Sequence, residues 1–208
     1  MHFGRLMIRV LAKFEREFLG IDFQGGLSAE SLGLDPKLSV ACMPSGGKYL
    51  RSILQDLSIN SSDSILDIGC GKGNAMRGMY NFPFLRIDGI ELSEKIAKLA
   101  RHNFQRLRVL RTSIFNISAT DFDGYSNYNI FYLYNPFTSL IMGKVMENIN
   151  QSNVSDRELL IIYNNPVCHA QIEMAGFTKI LQYPDEWGNG IYVYTNKPAS
   201  SRLKKLGV

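Results

Sequence analysis

Apolar and polar positions follow two different periods between residues 62 and 196, and the changes of period predict alternating strands and helices. Short apolar runs predict five strands, at residues 64–68, 85–90, 109–117, 128–134 and 158–163. Helical spacing occupies the intervening segments 74–81, 93–104 and 139–150. Such alternation builds a parallel sheet with helices on both faces.

The end of this region departs from the alternation. Residues 178–183 and 191–195 are strand-like runs separated by a short connection, residues 184–190. Two strands joined in this way form a hairpin, so one terminal strand must run antiparallel to its neighbour. The predicted fold is therefore α/β, a Rossmann-like three-layer sandwich with a mostly parallel seven-stranded sheet and one antiparallel terminal strand.

The first sixty residues read as a helical extension and a lid. Residues 3–18 have the spacing of an amphipathic helix, which either packs on the domain or lies on a membrane surface. Residues 20–47 are broken by glycine and proline and predict a loop that could cover a site, and a short helix follows at 48–57. We predict an extension at 1–60, a domain at 61–196 and a basic tail at 197–208.

Composition supports a globular protein and narrows its chemistry. The chain has 208 residues, of which 45% are apolar and 20% charged, with a net charge of +4 that permits an acidic partner without requiring one. Its cysteines form no CxxC pair, and neither a signal sequence nor an apolar run of roughly 18 residues is found, so we expect a cytoplasmic protein without disulfides. The scattered histidines give no support for a metal site.

The strongest chemical signal is ILDIGCGKGNA, residues 65–75, in the turn between the first strand and its helix. Ligands bind at this edge of an open parallel sheet, and glycines let them approach the backbone. The spacing is not that of a dinucleotide fingerprint, because Asn74 stands where the third glycine belongs, and no phosphate-binding GK[ST] loop occurs. Asp67 repels phosphate but suits an ammonium or sulfonium group. The alternative is that these glycines serve only the geometry of the turn and bind no ligand.

The second signal is GIELS, residues 89–93, which closes the second strand. Glu91 lies 24 residues after Asp67, where a nucleotide site in a parallel sheet places an acid that accepts the ribose hydroxyls. An exposed acid that stabilises the start of the next helix is the alternative.

These two motifs resemble the first two motifs of the class I S-adenosylmethionine-dependent methyltransferases. GIDFQGG (20–26), MPSGGKYLRSIL (43–54) and YLYNPF (132–137) further resemble a bacterial subgroup of undefined substrate. The resemblance implies S-adenosyl-L-methionine as the cofactor, with Glu91 on its ribose, Leu92 on its adenine and Ser118-Ala119 where many relatives have an acid that contacts the adenine amino group. It also implies a lid at Pro44-Ser45, and a methionine-binding turn formed by Asp67, Gly69, Cys70, Gly71 and Gly73.

Asn135-Pro136-Phe137 looks like a shortened form of the [ND]PP[YF] motif of amino-group methyltransferases. By this resemblance Asn135 and the Pro136 carbonyl would orient a substrate amine beside the cofactor. Asn135-Pro136 that merely ends a strand is the alternative. Tyr134, Asn164 and Asn165 fall at strand ends on the same edge, so they either line the acceptor pocket or terminate a strand.

The favoured function is methyl transfer to an unidentified acceptor, for which an amine of a protein lysine or of a small molecule is the candidate. One alternative is a partner subunit that binds the cofactor without catalysis, and another is an oxidoreductase that uses NAD. A nucleic-acid methyltransferase is the third, for which the evidence would be a basic cluster at Arg101, Arg106, Arg108 and Arg111. A solvated helix end and loop explains the same cluster, and we do not expect nucleic acid as a partner.

Overall fold

The computed structural model describes residues 10–26 and 45–198. Seven strands make one sheet: β1 (Ser64–Ile68), β2 (Arg86–Ile90), β3 (Ile114–Phe115), β4 (Ile130–Tyr134), β5 (Leu160–Asn164), β6 (Thr178–Tyr183) and β7 (Ile191–Thr195). Their order is β3-β2-β1-β4-β5-β7-β6. The first five strands are parallel, and β7 lies antiparallel between β5 and β6. The predicted fold class is confirmed.

Helices cover both faces of this sheet: α1 (Lys48–Asp56), α2 (Asn74–Met79), α3 (Glu94–Arg106), α4 (Ser139–Ser152) and α5 (His169–Met174). Successive strand residues point to opposite faces, so each strand serves two apolar cores. Ile65 of β1 packs in the core that includes α1, α2 and α3. Leu66 packs in the core that includes α4 and α5. All five residues of β1 are buried, as expected for a central parallel strand.

The order of the strands reverses at β1, which pairs with β2 on one side and with β4 on the other. In open α/β sheets the crevice at the carboxyl ends of the strands on either side of such a switch point binds ligands. The turns that follow β1, β2, β4 and β5 all open at this edge. The residues predicted from the glycine motif and from the strand ends lie in these turns, in the turn after β3 or, like Asp67, Tyr134 and Asn164, in the last two residues of a strand.

The third strand is much shorter than the predicted 109–117. Arg111 and Ser113 still accept hydrogen bonds from the backbone N–H groups of Ile87 and Gly89, but regular pairing is confined to β3. The Arg111 guanidinium instead donates to three carbonyls of the turn before β2, which holds this segment as a loop. Helix α5 was not predicted from the sequence, since one buried residue, Ile172, gives it too weak a pattern.

The described part of the N-terminal extension is helical from residue 10 to residue 19, and its last five residues form a wider π turn. This helix keeps Phe14 and Phe18 exposed and meets the domain through an ion pair between Glu15 and Arg77, with a shortest distance of 2.6 Å. Residues 20–26 then enter the α1 side of the core with Ile21 and Phe23. None of the helices in the described ranges is long and apolar enough to cross a membrane.

Candidate functional site

The glycine-rich turn after β1 is closed by contacts that leave no room for side chains. The backbone N–H groups of Gly69 and Cys70 both donate to the Ile90 carbonyl at 2.9 Å, which joins the ends of β1 and β2. Gly69 has a φ of +83°, and a Cβ there would lie 2.8 Å from Cβ of Pro136. Gly73 has a φ of +89°, and its Cβ would lie 2.5 Å from the Phe104 ring. Both positions therefore require glycine on two grounds, backbone conformation and space.

Asp67, the penultimate residue of β1, is only 2% exposed. Burial raises the pKa of its carboxyl well above the usual value, and the negative charge of Glu91 raises this pKa further. Within residues 10–26 and 45–198, nothing places a cation or a hydrogen-bond donor against this carboxylate. A cationic ligand at the end of β1 would stabilise the ionised form and so bind in preference to an anion.

Glu91 connects the turns that follow β1 and β2. Its Oε2 atom accepts a hydrogen bond from the Gly71 N–H at 3.1 Å, and its Oε1 atom accepts one from the Ser93 N–H at 2.7 Å. Burial raises the pKa of Glu91 in spite of these bonds. The next residue, Leu92, is 47% exposed, while Asn116 donates its amide to the carbonyls of Glu91 and Leu92. The loop is thus fixed by its backbone and leaves an apolar side chain open at the edge.

Ser118 and Ala119 lie in a tight turn that follows β3. The Ser118 hydroxyl lies 2.8 Å from that of Thr120, and its carbonyl accepts hydrogen bonds from the next turn. The Ala119 carbonyl accepts a hydrogen bond from the Tyr125 hydroxyl at 2.6 Å. The Ser118 side chain is therefore used to shape the turn, and its contact with an adenine stays a prediction.

Asn135, Pro136 and Phe137 follow β4 directly and are all partly buried. Asn135 has a φ of +39°, a left-handed conformation that asparagine tolerates better than most residues. Its Oδ1 atom accepts a hydrogen bond from the Tyr163 hydroxyl at 3.2 Å, which fixes the side-chain amide. Since Pro136 also packs against Gly69, the structure brings this motif and the glycine turn together.

Ser45 reaches the same strand end from the segment before α1, and Pro44, the other predicted lid residue, lies outside the described residues. The Ser45 side chain lies next to the Tyr132 hydroxyl, which accepts a hydrogen bond from the Asn164 amide at 3.4 Å. Burial raises the pKa of Tyr132. Since Tyr132 is paired with Asp67 across the sheet, Ser45 stands over the junction of β1 and β4.

Two residues that the sequence reasoning missed hold the glycine turn in place. Lys72, inside the motif, is 8% exposed and its Nζ atom lies 2.8 Å from Oδ2 of Asp22 and 2.5 Å from the Gln24 carbonyl. Asn103 of α3 donates to the carbonyls of Asp22 and Lys72, and its Oδ1 atom accepts a bond from the Asp22 N–H. A signal was present, because a lysine next to two glycines is far from an ordinary surface position.

Three arginines of the predicted basic cluster bind backbone carbonyls. Arg101 donates twice to the Ile114 carbonyl, and Arg106 donates to that of Leu19. Arg111 donates to three carbonyls of the turn before β2. These three side chains are thus used to hold neighbouring backbone segments in place. No group of three potential metal ligands occurs among the residues that the structure describes.

Comparison with known proteins agrees with this geometry. Residues 66–139 match the family model described as a methyltransferase domain, while no curated protein matches the sequence. The structure is similar to that of a S-adenosylmethionine-dependent methyltransferase from Aquifex aeolicus, with 12% identity, a TM-score of 0.54, and coverage of 70% of this chain and 87% of the other.

Two further solved structures show how widely the fold is used. An rRNA methylase from Streptococcus thermophilus has 11% identity and a TM-score of 0.54, with 71% of this chain and 95% of the other covered. The magnesium protoporphyrin IX methyltransferase of Synechocystis, with S-adenosylmethionine bound, has 12% identity and a TM-score of 0.52, with 70% and 76% covered. At such low identity these likenesses show the fold, and they leave the acceptor open.

Proposed function

We propose that this chain is a class I S-adenosylmethionine-dependent methyltransferase and that it methylates an amine nitrogen held at Asn135. The observation that carries the proposal is the position of Asn135-Pro136-Phe137, at the carboxyl end of β4 and in contact with the glycine turn through Pro136 and Gly69. The family match and the fold support the cofactor, and this placement supports the acceptor group.

The residues at the end of β1 fit the cofactor. Asp67 is buried without a cationic partner among the described residues, and the ammonium and sulfonium groups of S-adenosylmethionine are positively charged. Glu91 accepts one backbone N–H at each carboxylate oxygen, and each oxygen has a further lone pair for a ribose hydroxyl. Leu92 would lie against the adenine, and Ser45 would form part of a lid. When bound, the cofactor supplies an electrophilic methyl group for direct displacement.

Asn135 would act by orienting the acceptor. Its Oδ1 atom already accepts the Tyr163 hydroxyl and has a second lone pair for a substrate N–H. The Pro136 carbonyl is the second acceptor in this motif. Two acceptors that hold the N–H groups of a neutral amine leave its lone pair free to point at the methyl group of the cofactor. Orientation of this kind contributes a large share of the rate in direct transfers.

Two alternatives remain distinct from this proposal. Nucleic-acid methylation draws support from the fold of the Streptococcus thermophilus rRNA methylase. The structure weakens the support that the basic cluster gives to nucleic-acid methylation, because Arg101, Arg106 and Arg111 donate to backbone carbonyls. A subunit that binds cofactor without catalysis would have the same Asp67 and Glu91 but would release no product.

The test is formation of S-adenosylhomocysteine by the full chain with a panel of primary amines, alcohols and RNA oligonucleotides. We expect turnover with amines. Asn135→Gly removes the amide yet keeps a residue that accepts a positive φ, and it should lower kcat by about 100-fold with cofactor affinity unchanged. Asn150→Ala, on the exposed side of α4, is the matched control. Normal turnover by Asn135→Gly, or turnover with RNA alone, would contradict the proposal.

A further inference from the structure

The connection between β6 and β7, residues 184–190, lies beside the proposed acceptor site. The Asn165 N–H donates to the Gly190 carbonyl at 3.0 Å, and Asn164 is paired with Ile191 at the start of β7. On its other side Asn164 is paired with Tyr134, the residue before Asn135. This connection therefore reaches the same edge of the sheet as the proposed amine-binding motif.

Two buried acceptor atoms at this edge have no hydrogen-bond donor among the described residues: Oδ1 of Asn164 and Oδ2 of Asp185. Asn164 is 6% exposed and Asp185 is 8% exposed. The Asn164 amide nitrogen donates to the Tyr132 hydroxyl, so the Oδ1 atom of Asn164 is the unpaired one. Folded proteins pair almost all buried polar atoms, because leaving one unpaired destabilises the fold. Two such atoms at the same edge of the sheet indicate a ligand that donates hydrogen bonds.

Negative charge accumulates at the same place. Burial by itself would raise the pKa of Asp185, but backbone N–H groups of Asn189, Trp187, Gly190 and Gly188 outweigh it and lower this pKa. The Asp185 carboxylate is thus ionised at neutral pH. Burial raises the pKa of the Tyr134 hydroxyl, and the charges of Asp185 and Glu186 raise it further, which places both carboxylates near this ring. An anionic group would be repelled from this edge.

We infer that Asn164 and Asp185 form a recognition subsite for a primary alkylammonium group of the methyl acceptor. An ammonium has three N–H donors and a positive charge, which match the two unpaired oxygens and the carboxylate. A cation next to the Tyr134 ring is favourable as well.

This inference rests on the proposed function, and the chemistry of transfer extends it. A protonated nitrogen has no lone pair, so the ammonium held by Asp185 is not the nitrogen that is methylated at Asn135. The acceptor therefore carries two amino groups, a neutral one at Asn135 and a cationic one at Asp185. Both free aliphatic diamines and peptides with two neighbouring lysines have this chemistry. In the transfer, the neutral nitrogen forms the new N–C bond as the S–C bond breaks, and its surplus proton passes to solvent.

The test is calorimetric binding to the full chain saturated with S-adenosylhomocysteine. Butane-1,4-diamine, butan-1-amine, butyl phosphate and an N-acetyl-lysyl-lysine amide are compared. We expect the diamine or the peptide to bind at least tenfold more tightly than the monoamine, with no binding of the phosphate. The better of the two dications identifies the source. Salt should weaken the binding of the dications.

Asp185→Asn keeps the Oδ1 atom that accepts backbone N–H groups and replaces the unpaired oxygen with an amide nitrogen. It should abolish the preference for the dication and leave the affinity for S-adenosylhomocysteine unchanged. Asp156→Asn, in an exposed ion pair with Lys197, is the control and should retain the preference. Since the comparison of ligands on the wild type needs no variant, the test holds even if Asp185→Asn does not fold.

Equal affinities for monoamine and dications, or binding of butyl phosphate alone, would overturn the inference. Failure of the proposed function has a different signature. A clear preference for dications without any methyl transfer would leave the subsite standing and refute amine methylation. Transfer to monoamines and dications at the same rate would support amine methylation and refute the subsite.

Discussion

The Nζ atom of Lys72 lies 2.8 Å from Oδ2 of Asp22, and so links the glycine-rich turn to a segment fifty residues earlier in the chain. The lysine is buried, and the same atom donates to the Gln24 carbonyl. Asn103 binds both sides of the link. Residues 20–26 are therefore part of the scaffold that shapes the glycine-rich turn.

Lys72→Met should destabilise the fold markedly, because it leaves Asp22 with an unpaired charge in a partly buried place. Removal of one partner from a fully buried pair costs about 3–5 kcal/mol. Asp22 is partly exposed, so we expect a loss of about 2 kcal/mol, which corresponds to a decrease in Tm of about 4–8 °C for a chain of this length. Denaturant unfolding and thermal melts measure the change.

Lys144→Met is the matched control, since its ion pair with Glu147 is exposed on α4. Exposed pairs contribute little, and no change in Tm is expected for this variant. Equal melting of both variants and wild type would mean that the link to Asp22 does not stabilise the fold.

The sequence predicted the sheet well because its signals are local. Apolar runs identify β1, β2 and β4, and the glycines with Asp67 mark the turn that the structure places at the switch point. The parts that were missed depend on contacts distant in sequence. Residues 20–26 look like a loop, yet Phe23 is buried against Phe104 of α3.

The candidate site shows the same division. Asn135 was predicted from its motif, whereas the unpaired oxygen of Asp185 depends on a pairing between β5 and β7 that no local pattern contains. For Ser118, the position was predicted from the sequence but the contacts of its hydroxyl were not. Its position after β3 is as expected, but its hydroxyl is occupied by Thr120 inside the turn.

Asp67→Asn should stabilise the cofactor-free protein at neutral pH. The folded state raises the pKa of Asp67, so the folded protein holds its proton more strongly than the unfolded chain does. Its contribution to stability is fully present below the unfolded pKa of about 3.9 and is lost as the pH rises through the higher folded pKa. An asparagine has no charge to desolvate, so its Tm at pH 7 should exceed that of the wild type.

The same substitution should weaken the binding of S-adenosylmethionine by at least about tenfold, since it removes the charge that faces the cationic ligand. Melts of the free protein between pH 4 and pH 8, together with calorimetry at pH 7, measure both effects. Asp156→Asn, an exposed change, should alter neither. A lower Tm together with unchanged affinity would show that Asp67 has a structural role only.

Glu91→Ala should weaken cofactor binding by at least about tenfold, because a hydrogen bond to a charged acceptor contributes about 1.5–3 kcal/mol. The change also removes the acceptor of the Gly71 N–H. Glu91→Gln retains an oxygen for one of the two backbone donors and should lose less affinity than the alanine variant. Calorimetry with S-adenosylhomocysteine measures both, and an alanine variant with wild-type affinity would contradict the ribose assignment.

Gly89→Ala tests how closely the turns after β1 and β2 are packed. A Cβ at residue 89 would lie 2.7 Å from both Cβ and Sγ of Cys70 and 2.9 Å from Sδ of Met76. The flexible Met76 side chain can move, but Cβ of Cys70 moves only with the backbone of the glycine-rich turn. We therefore expect Gly89→Ala to lower both Tm and the affinity for S-adenosylhomocysteine.

Cys70→Gly removes the two Cys70 atoms that the new methyl group would meet, so the double variant Gly89→Ala/Cys70→Gly should recover affinity relative to Gly89→Ala. The double-mutant cycle isolates this contact, because residues that touch are not additive. Cys70→Gly alone should bind the cofactor more weakly than wild type, since a fourth glycine in the turn must be ordered. Strictly additive losses in the double variant would show that the turn tolerates the methyl group, and that its position does not depend on the close approach of β2.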